Sequence, residues 1–230
     1  MLKRLAVIEA ILRNRYRFFS EVRDGVDLGG KLRSLIVSSM VFLAIYGAVM
    51  GSSHSVLQAL SSAVKLPLLF LATLAVCAQT LYFLNVLYGS PQTLTQSITL
   101  ILTAITVTAV LLISFAPIIL FFIMTTAHYQ FFKLLNVAVF ALSGMLGVSF
   151  LSQGMRLLAA EAHDTERARR RLMRMWILVY AFVGSQMAWT LRPFVGAPSL
   201  GFELFRQLGG NFYTNIFASL GEILGFFSVR

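Results

Sequence analysis

The chain is poor in most of what does chemistry in water. Charged residues make up 12% of its 230 positions, and Asp and Glu together number 9, against roughly a quarter charged in ordinary soluble domains. Cys77 is the single cysteine, which excludes an internal disulfide and suggests no metal cluster; set in an apolar run, it reads as a small buried hydrophobe. The three histidines are His54, His128 and His163. His163 has Glu161 and Asp164 beside it, but three such groups on one loop, with no further His or Cys, make a poor ligand set. Ser53 and Ser55 flank His54 without a carboxylate close in sequence, since Glu203 and Glu222 lie far along the chain. No nucleophile arrangement is recognisable. Neither a catalytic residue, a metal nor a cofactor is expected, and the chain reads as non-enzymatic.

What fills the chain instead is apolar. Hydrophobic residues reach 58%, with 20 Phe, 7 Tyr and 2 Trp, more than a water-soluble fold of this size can hide. A helical span needs about 20 mostly apolar residues, and five stretches approach that: 34–51, 66–88, 94–124, 132–151 and 172–191. The expected fold is all-α, a polytopic transmembrane bundle of about five spans (34–191), with an amphipathic basic segment before it (1–33) and an amphipathic external segment after it (192–230). The first 33 residues carry several charges and no long apolar core, so they are not expected to be a removable signal peptide.

The net charge of +10 raises the question of nucleic acid, and its distribution answers it. Of 19 Lys and Arg, 8 precede the first span and 6 fall between Arg156 and Arg174. That is the pattern of segments facing an anionic cytoplasmic leaflet, so nucleic acid is not the expected partner. With the N-terminus in the cytoplasm both basic segments lie inside, and Lys65, Lys133, Arg192, Arg206 and Arg230 are left outside. Arg13, Arg15 and Arg17 in the first segment, and Arg167, Arg169, Arg170 and Arg171 in the second, are the expected headgroup contacts. Arg174, one turn into the last span, can snorkel to the same surface.

Leu5, Ile8, Leu12, Tyr16 and Phe19 recur at helical spacing before the first span, with cations around the other face, which predicts a helix lying in the interface. Pro117 is expected to kink the overlong third span near Ser114, and Gly89, Ser90 and Pro91 to turn the chain between the second and third. At the other end Phe212, Tyr213, Ile216, Phe217, Leu220 and Leu224 share one face, opposite Thr214, Asn215, Ser219 and Glu222. That apolar face is expected to bury itself against protein or lipid, and it is the candidate subunit interface.

No Asp, Glu or His lies within any of the five stretches, so a pump or ion-coupled symporter is not expected. Two readings remain for the polar residues that do occur. Thr95, Thr99, Thr103 and Thr106 share one face of the third span; they either line a wet pore in an oligomer or bond to helix carbonyls. Gln79, Asn85, Asn136, Gln153 and Gln186 read either as a hydrophilic path or as interhelical bonds. Ala141, Ser143, Gly144 and Gly147 permit close helix approach.

Two stretches carry a resemblance. Lys65-Leu66-Pro67-Leu68-Leu69, running on to Phe83-Leu84-Asn85-Val86-Leu87-Tyr88-Gly89, resembles the corresponding helix of Yip-type membrane proteins. The resemblance implies a cytosolic N-terminus and five clustered spans, and a role in organising membrane or partners. Eukaryotic members act with small GTPases in vesicle traffic, but this chain lacks their long acidic cytosolic region, so GTPase binding is not carried over. The stretch Trp189-Thr190-Leu191-Arg192-Pro193-Phe194-Val195-Gly196-Ala197-Pro198, with Phe202, Leu204-Phe205-Arg206 and Asn211-Phe212-Tyr213, looks like the tail of a group of bacterial inner-membrane proteins without assigned chemistry. The expected function is a membrane organiser or a subunit of a larger membrane assembly, whose partners are anionic lipid and further copies or other membrane subunits. The rival is a homo-oligomeric channel with the third span lining the pore.

Overall fold

In a computed structural model, residues 2–87, 92–126, 129–158, 166–196, 201–205 and 210–223 are described, with backbone alone for 2–6, 87, 166–170, 172 and 223. Every regular element among them is an α-helix: α1 (Leu2–Arg13), α2 (Arg15–Arg23), α3 (Leu28–Gly51), α4 (Val56–Leu87), α5 (Leu94–Thr125), α6 (Tyr129–Leu158), α7 (Glu166–Thr190) and α8 (Phe212–Ile223). Helices α3 to α6 are long and apolar enough to cross a membrane, as expected of an integral membrane protein. Helix α7, at 25 residues, falls outside that set, because its Arg-rich first turns leave a less apolar remainder. The expected turn at Gly89, Ser90 and Pro91 lies outside the described residues.

The bundle is held where backbones meet. A Cβ on Gly47 would strike the Ser62 carbonyl, and one on Gly51 the Gln58 carbonyl at 2.5 Å, so α3 and α4 run antiparallel in direct backbone contact. Helices α5 and α6 meet in the same way: a Cβ on Gly147 would lie 2.7 Å from the Ala104 carbonyl, and Ser143 opposite Thr108 is fully buried. Gly144 faces open space and Ala141 is exposed, so the run of small residues is split between two faces. Without a strong hydrophobic force between helices in lipid, close approach of this kind is a main source of packing energy. Helix α5 is the centre, with every residue from Leu100 to Ala109 buried.

Two expectations are corrected. The N-terminal apolar stripe is not one helix: Asn14, at φ −137° and ψ 57°, breaks it into α1 and α2. Ile8, Ile11, Phe18, Phe19 and Val22 then face the bundle, while Leu12 and Tyr16 are exposed. An open groove between α1 and the bundle is lined by Ile8 and Leu12 of α1, Phe42 of α3 and Val110 and Ile113 of α5. Helix α5 continues through Pro117 and α4 through Pro67. Most consequential, α4 starts at Val56, ten residues before the apolar stretch that was read as its span.

The early start has a physical reason. Between 56 and 68 the apolar residues Val56, Leu57, Leu60, Val64 and Leu68 point outward, and Gln58, Ser62 and Lys65 point inward and are buried. The segment is amphipathic at helical spacing with its polar face toward the protein. Apolar outward is the favourable sense only if lipid is the solvent.

Candidate functional site

The inward polar face of α4 meets the chain just after α7. Gln58, Ser62 and Lys65, at spacings of four and three, form one ladder. Gln58 Nε2 donates to the carbonyls of Pro193 at 2.8 Å and Phe194 at 3.3 Å. Ser62 Oγ donates to Phe194 O at 2.6 Å. Lys65 Nζ donates to Pro193 O at 3.3 Å and also to Leu204 O, and it lies 4.9 Å from the centre of the Phe205 ring. Lys65 is 4% exposed. It sits nine residues inside α4, about 14 Å from the first residue of that helix.

The chemistry of this arrangement is donor-side. Helix α7 ends at Thr190, and the irregular backbone beyond it offers carbonyls that no helix satisfies. Non-helical backbone inside a membrane protein persists only where protein or water supplies its partners, and here the ladder supplies them. The partners of Lys65 are two carbonyl dipoles and a π face, so its charge is solvated by the fold. Beside the ladder, Gln58 Oε1 and Ser61 Oγ are buried without partners. Higher up, a Cβ on Gly196 would collide with the His54 ring, which closes the contact between the post-α7 segment and the turn before α4.

From this clamp the chain reaches α8. Trp189 Nε1 donates to Gly210 O at 3.2 Å, and the Arg192 guanidinium stacks on the Trp189 ring at 3.4 Å. Lys133 Nζ donates to Asn215 Oδ1 at 2.9 Å, Gln130 Nε2 to Glu222 Oε2 at 2.7 Å, and the Tyr213 and Ser185 hydroxyls bond at 3.0 Å. The polar face of α8 is therefore turned toward α6, with Ser219 buried, while Tyr213, Phe217 and Leu220 are exposed, Phe217 at 71%. Phe212 and Ile216 lie half-buried at the margin. Leu224 lies outside the described residues.

The remaining candidates sort as follows. Thr99, Thr103 and Thr106 are buried and donate to the carbonyls of Thr95, Thr99 and Leu102 at 2.7, 2.7 and 2.8 Å; Thr95 is exposed. Asn136 bonds the Tyr46 hydroxyl at 3.0 Å and Asn85 bonds Gln92 at 3.1 Å, both buried. Gln79 is exposed, and Gln153 and Gln186 are half-buried. Arg13 and Arg17 pair with Glu9 and Glu21 on the same side of their helices at 3.2 and 3.1 Å, and Arg15 lies over Tyr16. Arg171 is exposed, and Arg167, Arg169 and Arg170 fall in the first turns of α7, described by backbone alone. His163 and its acidic neighbours lie outside the described residues.

Sequence reading misses Gln58 and Ser62 because they precede the apolar stretch at 66–88, and it leaves Lys65 outside that span. The signal that could have found them is the outward apolar set at 56, 57, 60, 64 and 68. The absence of Asp, Glu and His from the apolar stretches stands, but an ionisable group is nonetheless enclosed within a membrane-capable helix. No family model, curated protein or solved structure matches the chain.

Proposed function

We propose that the chain is a non-enzymatic subunit or organiser of a larger membrane assembly, and that α8 is the element it offers to a neighbour. The observation that carries this reading is the orientation of α8. Asn215 and Glu222 bond to α6 and the Tyr213 hydroxyl to Ser185 of α7, while Phe217 and Leu220 are held outward. Over its described residues, Phe212–Ile223, helix α8 runs 12 residues, about 18 Å. A helix already bonded along its polar face is suited to docking a flanking membrane helix, because less ordering entropy is lost on binding.

In this reading α7 is the fifth crossing, the α2 end faces the cytoplasm because the two basic segments lie there, and the membrane is a bacterial inner membrane. The Yip-like layout supports an organising role. The channel alternative rests on the α5 threonines, and no packing observation favours it.

The test is mass measurement of the protein in lipid discs, with identification of co-purifying chains. Particles holding more than one chain, reduced to one by Phe217→Asp with the helical content retained, are expected. A single chain per particle, unchanged by Phe217→Asp, would overturn the reading. Steady conductance in planar bilayers, altered by Thr103→Leu, would favour the channel instead.

A further inference from the structure

The groove between α1 and the bundle has a volume of about 490 Å³, and its wall is hydrocarbon except for Glu9 and Arg13 of α1. Leu12 lines it and is 53% exposed, although Ile8 and Ile11 of the same helix are buried. Helix α1 therefore seats one edge on the bundle and leaves the other over an open apolar gap.

The depth of the groove restricts what can enter it. Thr106 Oγ1 lies 3.5 Å from Leu35 O, which puts these two residues at one level of the bundle. Phe42 of α3 and Ile113 of α5, both on the groove wall, each lie seven residues beyond that level. Arg33 is exposed and is the last charge on α3, and Phe42 is nine residues farther on, about 14 Å. With Arg33 at the edge of a hydrocarbon layer roughly 30 Å thick, Phe42 stands among acyl chains. The rim charges stand toward the headgroups: Arg13 closes α1, and from it the chain runs through α2 to the bonds between Gln96 and the carbonyls of Val22 and Arg23 near the start of α5.

The rim is a neutral pair. Arg13 Nη1 and Glu9 Oε1 are 3.2 Å apart, and the two side chains are 82% and 64% exposed. That bond uses one nitrogen and one oxygen, so the other guanidinium donors and the second carboxylate oxygen are open to a ligand that carries both charges.

We propose that the groove binds one molecule of phosphatidylethanolamine, with an acyl chain against Phe42, the phosphate on Arg13 and the ammonium on Glu9. A neutral rim matches a zwitterion better than the anionic headgroup expected of Arg13 from sequence. The guanidinium suits a phosphate, and a primary ammonium, unlike a quaternary one, donates hydrogen bonds to the carboxylate. The space equals about sixteen waters at roughly 30 Å³ each; a methylene fills about as much, so one acyl chain fits. Because lipid surrounds the helices in any case, the chain contributes packing, and the rim chooses the headgroup.

The test is native mass spectrometry of the full chain from micelles holding equal amounts of phosphatidylethanolamine, phosphatidylcholine and phosphatidylglycerol. One phosphatidylethanolamine per chain is expected, preferred about two- to fivefold over either of the others, the range an exposed ion pair supplies. Glu9→Lys should turn the preference toward phosphatidylglycerol, and Arg13→Gln should lower retention. Arg15→Gln, whose guanidinium lies over Tyr16 outside the groove, should change nothing. Phosphatidylethanolamine carrying a photoreactive diazirine in its acyl chain should label residues 105–115 in the native protein and not in Val110→Trp, which fills the groove. Should Val110→Trp fail to fold, the exposed Glu9→Lys and the position of the native label carry the test. Equal retention of the three lipids by the native protein, label outside 105–115, an equal effect of Arg15→Gln, or a second chain cross-linked at the groove in place of lipid would overturn the proposal.

Discussion

The two ends of the bundle solve the same problem in opposite ways. At the α2 end, where α2 turns into α3, the chain satisfies itself locally. Asp27, in the left-handed region at φ 47°, caps α3 by accepting from Gly30 N at 3.2 Å. Thr93 and Gln96 form a reciprocal capping box on α5. Glu21 lies 3.1 Å from Lys31, which also donates to Val26 O. At the end where α7 stops, the irregular backbone is satisfied from far along the chain, by side chains of α4. The first end resembles a surface of a soluble protein, with carboxylates and water within reach. The second uses a charge with no carboxylate, bonded to carbonyls, in a place where its loss cannot be made good by solvent.

The difference predicts a hierarchy of effects. Lys65→Met should do most harm. It leaves the Leu204 carbonyl without its donor, at a cost of about 1–3 kcal/mol, and takes one of two donors from Pro193 O, which keeps Gln58. Relief from burying the charge offsets part of this, and because no carboxylate is orphaned the net loss is about 2 kcal/mol. Unfolding titrations in detergent would measure it. Trp189, bonded to Gly210 within the clamped tail, should report release of that tail by a shift in its emission.

Gln96→Leu tests the other end. It removes two bonds to the Val22 and Arg23 carbonyls, but these groups are partly accessible and water can replace the donor, so a loss of about 1 kcal/mol is expected, again by unfolding titration. An equal or larger loss than for Lys65→Met would erase the distinction between the ends.

The smallest effect is a pH dependence at the α2 end. The hydrogen bond from Lys31 is the largest influence on Glu21 and holds its carboxyl below the ordinary 4.5, against the opposing pull of partial burial; Arg17 adds in the same sense as Lys31. A depressed folded value means that the stabilisation is full above pH 4.5 and is lost as pH falls through the lower folded value. The acid limb of the stability profile should therefore be shallower in Glu21→Gln, by a few tenths of a kcal/mol, because about a third of the Glu21 side chain reaches water and screens the pair. An unchanged acid limb would remove Glu21 from the account.

The helices and their apolar character were legible in the sequence, because twenty-residue apolar runs admit few other readings. The sense in which faces point was not. The face of α8 carrying Phe212, Tyr213, Phe217 and Leu220 was recognised as apolar, yet the direction of that face depends on whether lipid or water surrounds it, and Asn215 and Glu222 found their partners in Lys133 and Gln130, about 80 to 90 residues away. The same ambiguity hid α4. Reading Lys65 as the end of a loop assumes that a charge marks water, whereas here the carbonyls of the post-α7 segment serve in its place. The threonines of α5 were legible as a stripe, and their bonds to their own helix follow from the four-residue reach of a hydroxyl to the preceding turn.

The orientation of α8 and its offer to a neighbour are tested most directly by cross-linking from opposite faces of that helix. In a Cys77→Ala background, Phe217→Cys and Asn215→Cys would be treated in native membranes with a short thiol cross-linker. An inter-chain product is expected from position 217 and none from position 215, which faces α6. A product from 215, or none from 217 in particles shown to contain one chain, would contradict it.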